Sequence, residues 1–181
     1  MNPLRYTAFP TPQGGGNPAG VVLDASAMDA AEMLSLAAEL GYSETAFLFP
    51  RGEREYAIRY FSPEAEVDFC GHATVAASVA LAEHHLGAGD LLLSSNVGEV
   101  PVTLVRTEAG YQATLTTVEP VTAELDALPE LCELLGWRDE DLHPDLPHGL
   151  AFAGLWHPVL WAVSRERLAR LDYDFEGLRT L

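Results

Sequence analysis

The sequence contains no lysine: all ten of its basic residues are arginine, set against 27 aspartates and glutamates in 181 residues. The missing ε-amine excludes a Schiff-base nucleophile, and with it pyridoxal-phosphate chemistry of the usual kind. The shortage of positive charge leaves a formal net charge of −17, a surface that repels phosphate backbones and argues against nucleic acid as a partner. Only two cysteines occur, Cys70 and Cys132. They are too few for a disulfide framework, and no CxxC or HxxxH pair offers metal-ligand spacing. No apolar run reaches the roughly 18 residues that a membrane helix needs. The start, "MNPLRYTAFP", lacks the basic segment and apolar core of a signal peptide. A cytoplasmic protein with no cofactor, no metal and no membrane partner is the resulting expectation.

What is present reads as globular, with 48% hydrophobic residues and enough chain for one domain or for one and part of another. "LRYTAF" alternates as a strand does, "PTPQGGGNPAG" is a loop, and "VVLDA" is a second strand. "SAMDAAEMLSLAAELG" carries Met33, Leu36, Ala37 and Leu40 at helical spacing, with Ser26 or Asp29 as its cap and Gly41 as its stop. "TAFLF" and "YAIRYF" are strands, and "SPEAEVDFCG" is a loop. "DLLLSS", "GEVPVTLVR" and "GYQATLTTV" are three further strands, the last two joined by the turn "TEAG". After Val118 the texture changes. "EPVTAELDALPE" reads as a linker into the helix "LPELCELLGW", followed by the loop "RDEDLHPDLPHG". The strands "LAFAG" and "PVLWAVS" and the helical segments "RERLARL" and "YDFEGLRTL" complete the chain, too little to bury a good core alone.

One stretch departs from this strand-rich pattern. In "DFCGHATVAASVALAEHHLG", residues 73–82 carry no charge and only Ala, Val, Ser, Thr and Leu. A helix apolar on every side must be covered on every side, and its small side chains let strands approach closely. The reading is an α+β fold with a curved, mostly antiparallel sheet wrapped around a central helix at 72–86. The free amides of Gly71, His72 and Ala73 at its N-terminus suit an anion. His84 and His85 are adjacent, diverge by about 100° on a helix, and read as its exposed end.

Three pieces resemble, in order, the phenazine-biosynthesis (PhzF-like) isomerases of the diaminopimelate-epimerase-like fold. They are "GGGNPAGVVLD", "LGYSETAFLFP" and "YAIRYFSPEAEVDFCGHATVAASVAL"; "GEVPVTL" and "PVLWAVSRERLARLDYDF" are similar to later, less specific parts. The resemblance implies a first epimerase-like domain over 1–118. Residues 119–181 would be a linker and the truncated start of a second such domain. Family members are longer, and their second domain carries a Glu-Asp-Pro-Ala-Thr-Gly-Ser motif with no counterpart here. A homo-oligomer or a complementing chain is the implied partner, and a small carboxylated metabolite the implied substrate.

By the same resemblance Glu44 is the general acid/base that moves a proton between substrate carbons, and His72 contacts the substrate. From spacing alone Glu44 is a solvated carboxylate at a helix–strand joint and His72 a surface imidazole. Gly71 lets a ligand approach the backbone, and Asn17 either donates to that ligand or simply forms a turn. Cys70 is open between two roles. It lines the site as a small buried residue, or it acts as a thiol in the manner of related racemases, which need two thiols. Cys132, at helical spacing with Leu128 and Leu135, reads as packing. A remnant that binds a carboxylate or a partner without catalysis is the remaining alternative.

Overall fold

The computed structural model describes residues 3–12, 14–117 and 119–181. They form two compact units, Met1–Val118 and Glu119–Leu181. In the first, strands β1 (Leu4–Ala8), β2 (Asn17–Val22), β3 (Glu44–Pro50), β4 (Glu55–Phe61), β6 (Gly89–Ser95), β7 (Gly98–Thr107) and β8 (Gly110–Leu115) pair side by side in that order, and the short β5 (Glu66–Val67) pairs with β4. All pairings are antiparallel except β2–β3 and β4–β6. Strand β2 starts within the glycine-rich segment read as loop, because Asn17 and Pro18 already pair with Ala8 and Thr7.

Each parallel step requires a crossover, and each crossover contains a helix. Helix α1 (Ala30–Leu40) joins β2 to β3, and α2 (Gly71–Leu81) lies between β4 and β6. The two crossovers move the same way across the sheet, but β2 and β4 point in opposite directions. Right-handed connections therefore place the helices on opposite faces. The side chains divide accordingly, with a period of two. Ala19, Val21, Ala46, Leu48, Ile58 and Tyr60 face α2, whereas Val22, Phe47 and Phe61 pack with Met33 and Ala37 of α1.

Helix α1 is capped by Asp29, whose carboxylate accepts from the Glu32 amide while the Glu32 carboxylate accepts from the Asp29 amide. Gly41, at φ 67°, closes it by donating to the Ala37 carbonyl. Gly20 of β2 stands where a side chain has no room: a Cβ there would lie 2.6 Å from Thr45 Oγ1 and 2.7 Å from Leu40 Cδ1.

Helix α2 buries Ala73, Thr74, Ala76, Ala77, Ser78, Ala80 and Leu81. It packs against β1, β2, β3, β7 and β8. The expectation that it is covered on every side needs correction. His72, Val75 and Val79 form a half-buried stripe, with Glu83 exposed beyond them. Val75, Val79 and Glu83 face a groove that Tyr6, Ala8, Tyr111 and Ala113 also line. Among the described residues the sheet curls but does not close: β1 pairs only with β2 and β8 only with β7. The α-helix ends at Leu81 and continues as a π-turn, Ala82–Leu86, in which His84 and His85 are exposed.

In the second unit, β9 (Val121–Ala123), β10 (Gly149–Phe152) and β11 (Trp156–Val159) form an antiparallel sheet ordered β11-β10-β9. Helices α3 (Leu128–Leu134), α4 (Arg165–Leu168) and α5 (Phe175–Leu178) accompany it. Strand β9 occupies part of the segment read as linker. Strand β11 begins two residues before the predicted "PVLWAVS", because Gly154 at φ 102° turns the chain early. Pro158 is tolerated because β11 is an edge. Arg167 ties this unit together: it donates to Asp141 at 2.6 Å and to the Gly136 carbonyl at 2.8 Å, and lies over the Trp137 ring. Cys132 is buried in α3, as packing requires.

Candidate active site

The first turn of α2 is anchored from below. Cys70 is its N-cap residue, extended at φ −145°, and its side chain caps no amide. Its carbonyl accepts instead from the Thr74 amide at 3.0 Å and the Thr74 hydroxyl at 2.7 Å. The hydroxyls of Thr74 and Tyr60 lie 2.7 Å apart, both residues fully buried. The Tyr60 ring meets Phe69 edge to face at 6.1 Å. The loop that delivers Cys70 is tied to the sheet by a bidentate Arg59–Glu66 pair at 2.7 and 2.6 Å and by Asn96, which donates to Asp68.

Above this anchor three reactive side chains meet. The Cys70 sulfur is 3.2 Å from His72 Nδ1, and His72 Nε2 is 3.5 Å from a Glu44 carboxylate oxygen. Glu44 opens β3 in the middle of the sheet, and its even-numbered position puts it on the same face as Ala46 and Leu48, toward α2. Its side chain is 23% exposed and that of His72 11%, so both are partly desolvated while the mouth stays open. Ser43 Oγ lies 3.4 Å from His72 Nε2.

Burial is the main force on the Cys70 thiol and pushes its pKa up to about 12, with the nearby Glu44 charge adding to the rise and the Ala73 amide opposing it. Cys70 is therefore a thiol at neutral pH. It can donate to Nδ1, which leaves Nε2–H for the carboxylate and the serine.

Glu44, Cys70 and His72 thus come together, and the amides of Gly71 and Ala73 lie at the same helix end. An added Cβ on Gly71 would meet nothing within 4 Å, so the space beside this backbone is free. Asn17 has no part in the contacts that join the three side chains. It stands exposed at the start of β2, two residues before Ala19, the partner of Glu44 across the sheet. Sequence reasoning missed Ser43, Tyr60 and Thr74. Ser43 was detectable as the hydroxyl preceding Glu44, and Tyr60 as an inward position of β4. Thr74 gave no signal apart from being a hydroxyl in an alanine-rich helix.

A curled sheet holding a helix, with an acid, an imidazole and a thiol at the helix mouth, defines a protein of the diaminopimelate-epimerase-like class. Its backbone superposes on a "predicted epimerase" from Pseudomonas aeruginosa with a TM-score of 0.85 and 26% identity, over 98% of this chain and 65% of that one. The chain belongs to the phenazine biosynthesis-like (PhzC–PhzF) family, whose model matches residues 6–180. It is 37% identical to an uncharacterized isomerase of Deinococcus radiodurans over 98% of its length, and 34% identical to the uncharacterized isomerase YfhB of Bacillus subtilis over 94%. It spans 59% of the length of each of those relatives. Among the described residues no helix is long and apolar enough to cross a membrane.

Proposed function

We propose that the chain carries one half of a cofactor-independent isomerase site, in which Glu44 moves a proton between carbons of a small carboxylated metabolite. The observation that supports this most is the placing of Glu44. A carboxylate on a rigid central strand, 3.5 Å from an imidazole, stands beside a helix N-terminus that can hold a substrate carboxylate. Binding an anion on the Gly71, His72 and Ala73 amides uses the helix dipole. It brings the carbon next to that carboxylate toward a base with little solvent around it. His72 donates to the substrate, Asn17 contacts it from the neighbouring strand, and Cys70 fills the wall beside it.

A thiol-based racemase is the weaker reading, because burial holds Cys70 protonated and a protonated thiol is a poor base. This chain spans 59% of each of these relatives, so about two fifths of their own length lies outside the match. The remaining groups of the site are assigned to chain of that kind or to a second copy. A cytoplasmic location is part of the same proposal.

The test uses deuterium exchange in heavy water against a panel of small carboxylates with acidic C–H bonds, followed by NMR. Glu44→Gln is expected to abolish exchange while leaving binding roughly intact, and Cys70→Ala to keep exchange. Loss of exchange in Cys70→Ala with retention in Glu44→Gln would reverse the assignment.

A further inference from the structure

Glu44, Cys70 and His72 each offer one donor atom within 4.8 Å of the other two. Spacing rules overlook this set, because two members are only two residues apart at the start of α2 and the third comes from β3. We propose that the three side chains form a binding site for a zinc-class cation, and that its occupation silences the isomerase.

The donor set is one sulfur, one imidazole nitrogen and one carboxylate oxygen. Around a tetrahedral zinc, with bonds of about 2.0–2.3 Å, such donors stand roughly 3.3–3.6 Å apart. Cys70 Sγ and His72 Nδ1 are already 3.2 Å apart, so together they form a chelate from a single helix turn. Glu44 faces the other ring nitrogen, Nε2, at 3.5 Å, and its carboxylate has to turn toward the Nδ1 side to complete the set. His72 Nε2 would keep Ser43 as an outer partner, at 3.4 Å, the arrangement that fixes a ligating imidazole. The supports are rigid, since Tyr60 and Thr74 hold the helix turn and β3 is an inner strand.

A thiolate donor selects zinc-like ions over magnesium and calcium. As the zinc–sulfur bond forms, the thiol proton passes to solvent, and the thiolate and carboxylate together neutralise the divalent ion. Three protein ligands leave a fourth position open to water at the exposed mouth. The overall charge of −17 also concentrates cations near the surface. A bound ion would occupy Glu44 and His72, which blocks both proton transfer and substrate contact. Only this inhibitory consequence rests on the proposed function; metal binding does not.

The experiment titrates the chain with cobalt(II), as a spectroscopic stand-in for zinc, under a phosphine reductant and without substrate. The expected result is a thiolate-to-cobalt charge-transfer band that saturates at one equivalent and is displaced by zinc. The band should persist in Cys132→Ser and vanish in Cys70→Ser, and His72→Asn and Glu44→Gln should weaken cobalt binding at least tenfold. If Cys70→Ser does not fold, X-ray absorption on the zinc-loaded wild type decides the matter. One sulfur among nitrogen and oxygen ligands supports the site, and no sulfur overturns it. Absence of the band at saturating cobalt, or a band that needs Cys132, also overturns it. Where exchange activity is found, added zinc should abolish it and a chelator restore it. A cobalt band without any exchange activity would defeat the isomerase reading and leave the metal site standing. Exchange activity indifferent to zinc, with no band, would do the reverse.

Discussion

Thr74 links the core to the site. Thr74→Val removes the hydroxyl that donates to the Cys70 carbonyl and also strands the buried Tyr60 hydroxyl. An unsatisfied buried group costs about 1–3 kcal/mol, so this variant should lose more than Tyr60→Phe, which forfeits about 1 kcal/mol. The double variant should lose less than the sum, because the two share one bond; urea denaturation of the four proteins measures the coupling. Cys70 provides a pH test. Its folded pKa is raised from 9.0 to about 12, so the folded state holds its proton where the unfolded chain has released it. Stability from this source is complete below about pH 9 and declines as pH rises toward 12. Iodoacetamide should leave Cys70 unmodified at neutral pH in the folded protein and alkylate it in denaturant, as mass spectrometry of the peptide would show.

At the scale of elements, the wrapped helix is the feature most open to attack. Ala77 is fully buried, so Ala77→Asp should cost several kcal/mol and prevent folding. Val79→Asp, on the half-open stripe, should cost much less; thermal melts of both separate the inner and outer faces of α2. The sequence revealed this helix well. Residues 73–82 carry no charge, and a charge-free helix has to lie inside something. Gly41 and a cap at Ser26 or Asp29 likewise announced α1 through local chemistry that needs no tertiary partner; the structure takes Asp29, with Glu32 as its capping-box partner. The open stripe was not legible, because Val75 and Val79 are as apolar as their neighbours and are exposed by the edges of β1 and β8 that, among the described residues, take no further strand. β9 was missed because its three residues are all exposed, and an exposed strand carries no alternation. Of the site, Glu44, Cys70 and His72 were named from motifs, but their mutual distances depend on a parallel pairing of β2 with β3 that periodicity does not encode.

For the whole molecule, the second unit raises the question of partners. Trp156, Trp161, Tyr173 and Phe175 are each about half exposed, an unusual amount of aromatic surface for a small unit. We expect a homo-oligomer, or association with a complementing chain, through residues after Val118. Light scattering that gives a clean monomer at micromolar concentration would count against it. The curled sheet of the first unit also governs how long folding takes. The helix comes from the middle of the segment, yet the strands that flank its open stripe come from the two ends, Leu4–Ala8 and Gly110–Leu115. Helix α2 has 11 residues and no side-chain cap, too little to persist alone in water. It must therefore form as the distant strands arrive, and the loop-closure entropy is spent before the contacts reward it. Refolding should take milliseconds to seconds, as for other topologies rich in non-local pairs. Helical circular dichroism should recover together with tertiary signals, and a helical phase that clearly precedes them would show that α2 forms without its sheet.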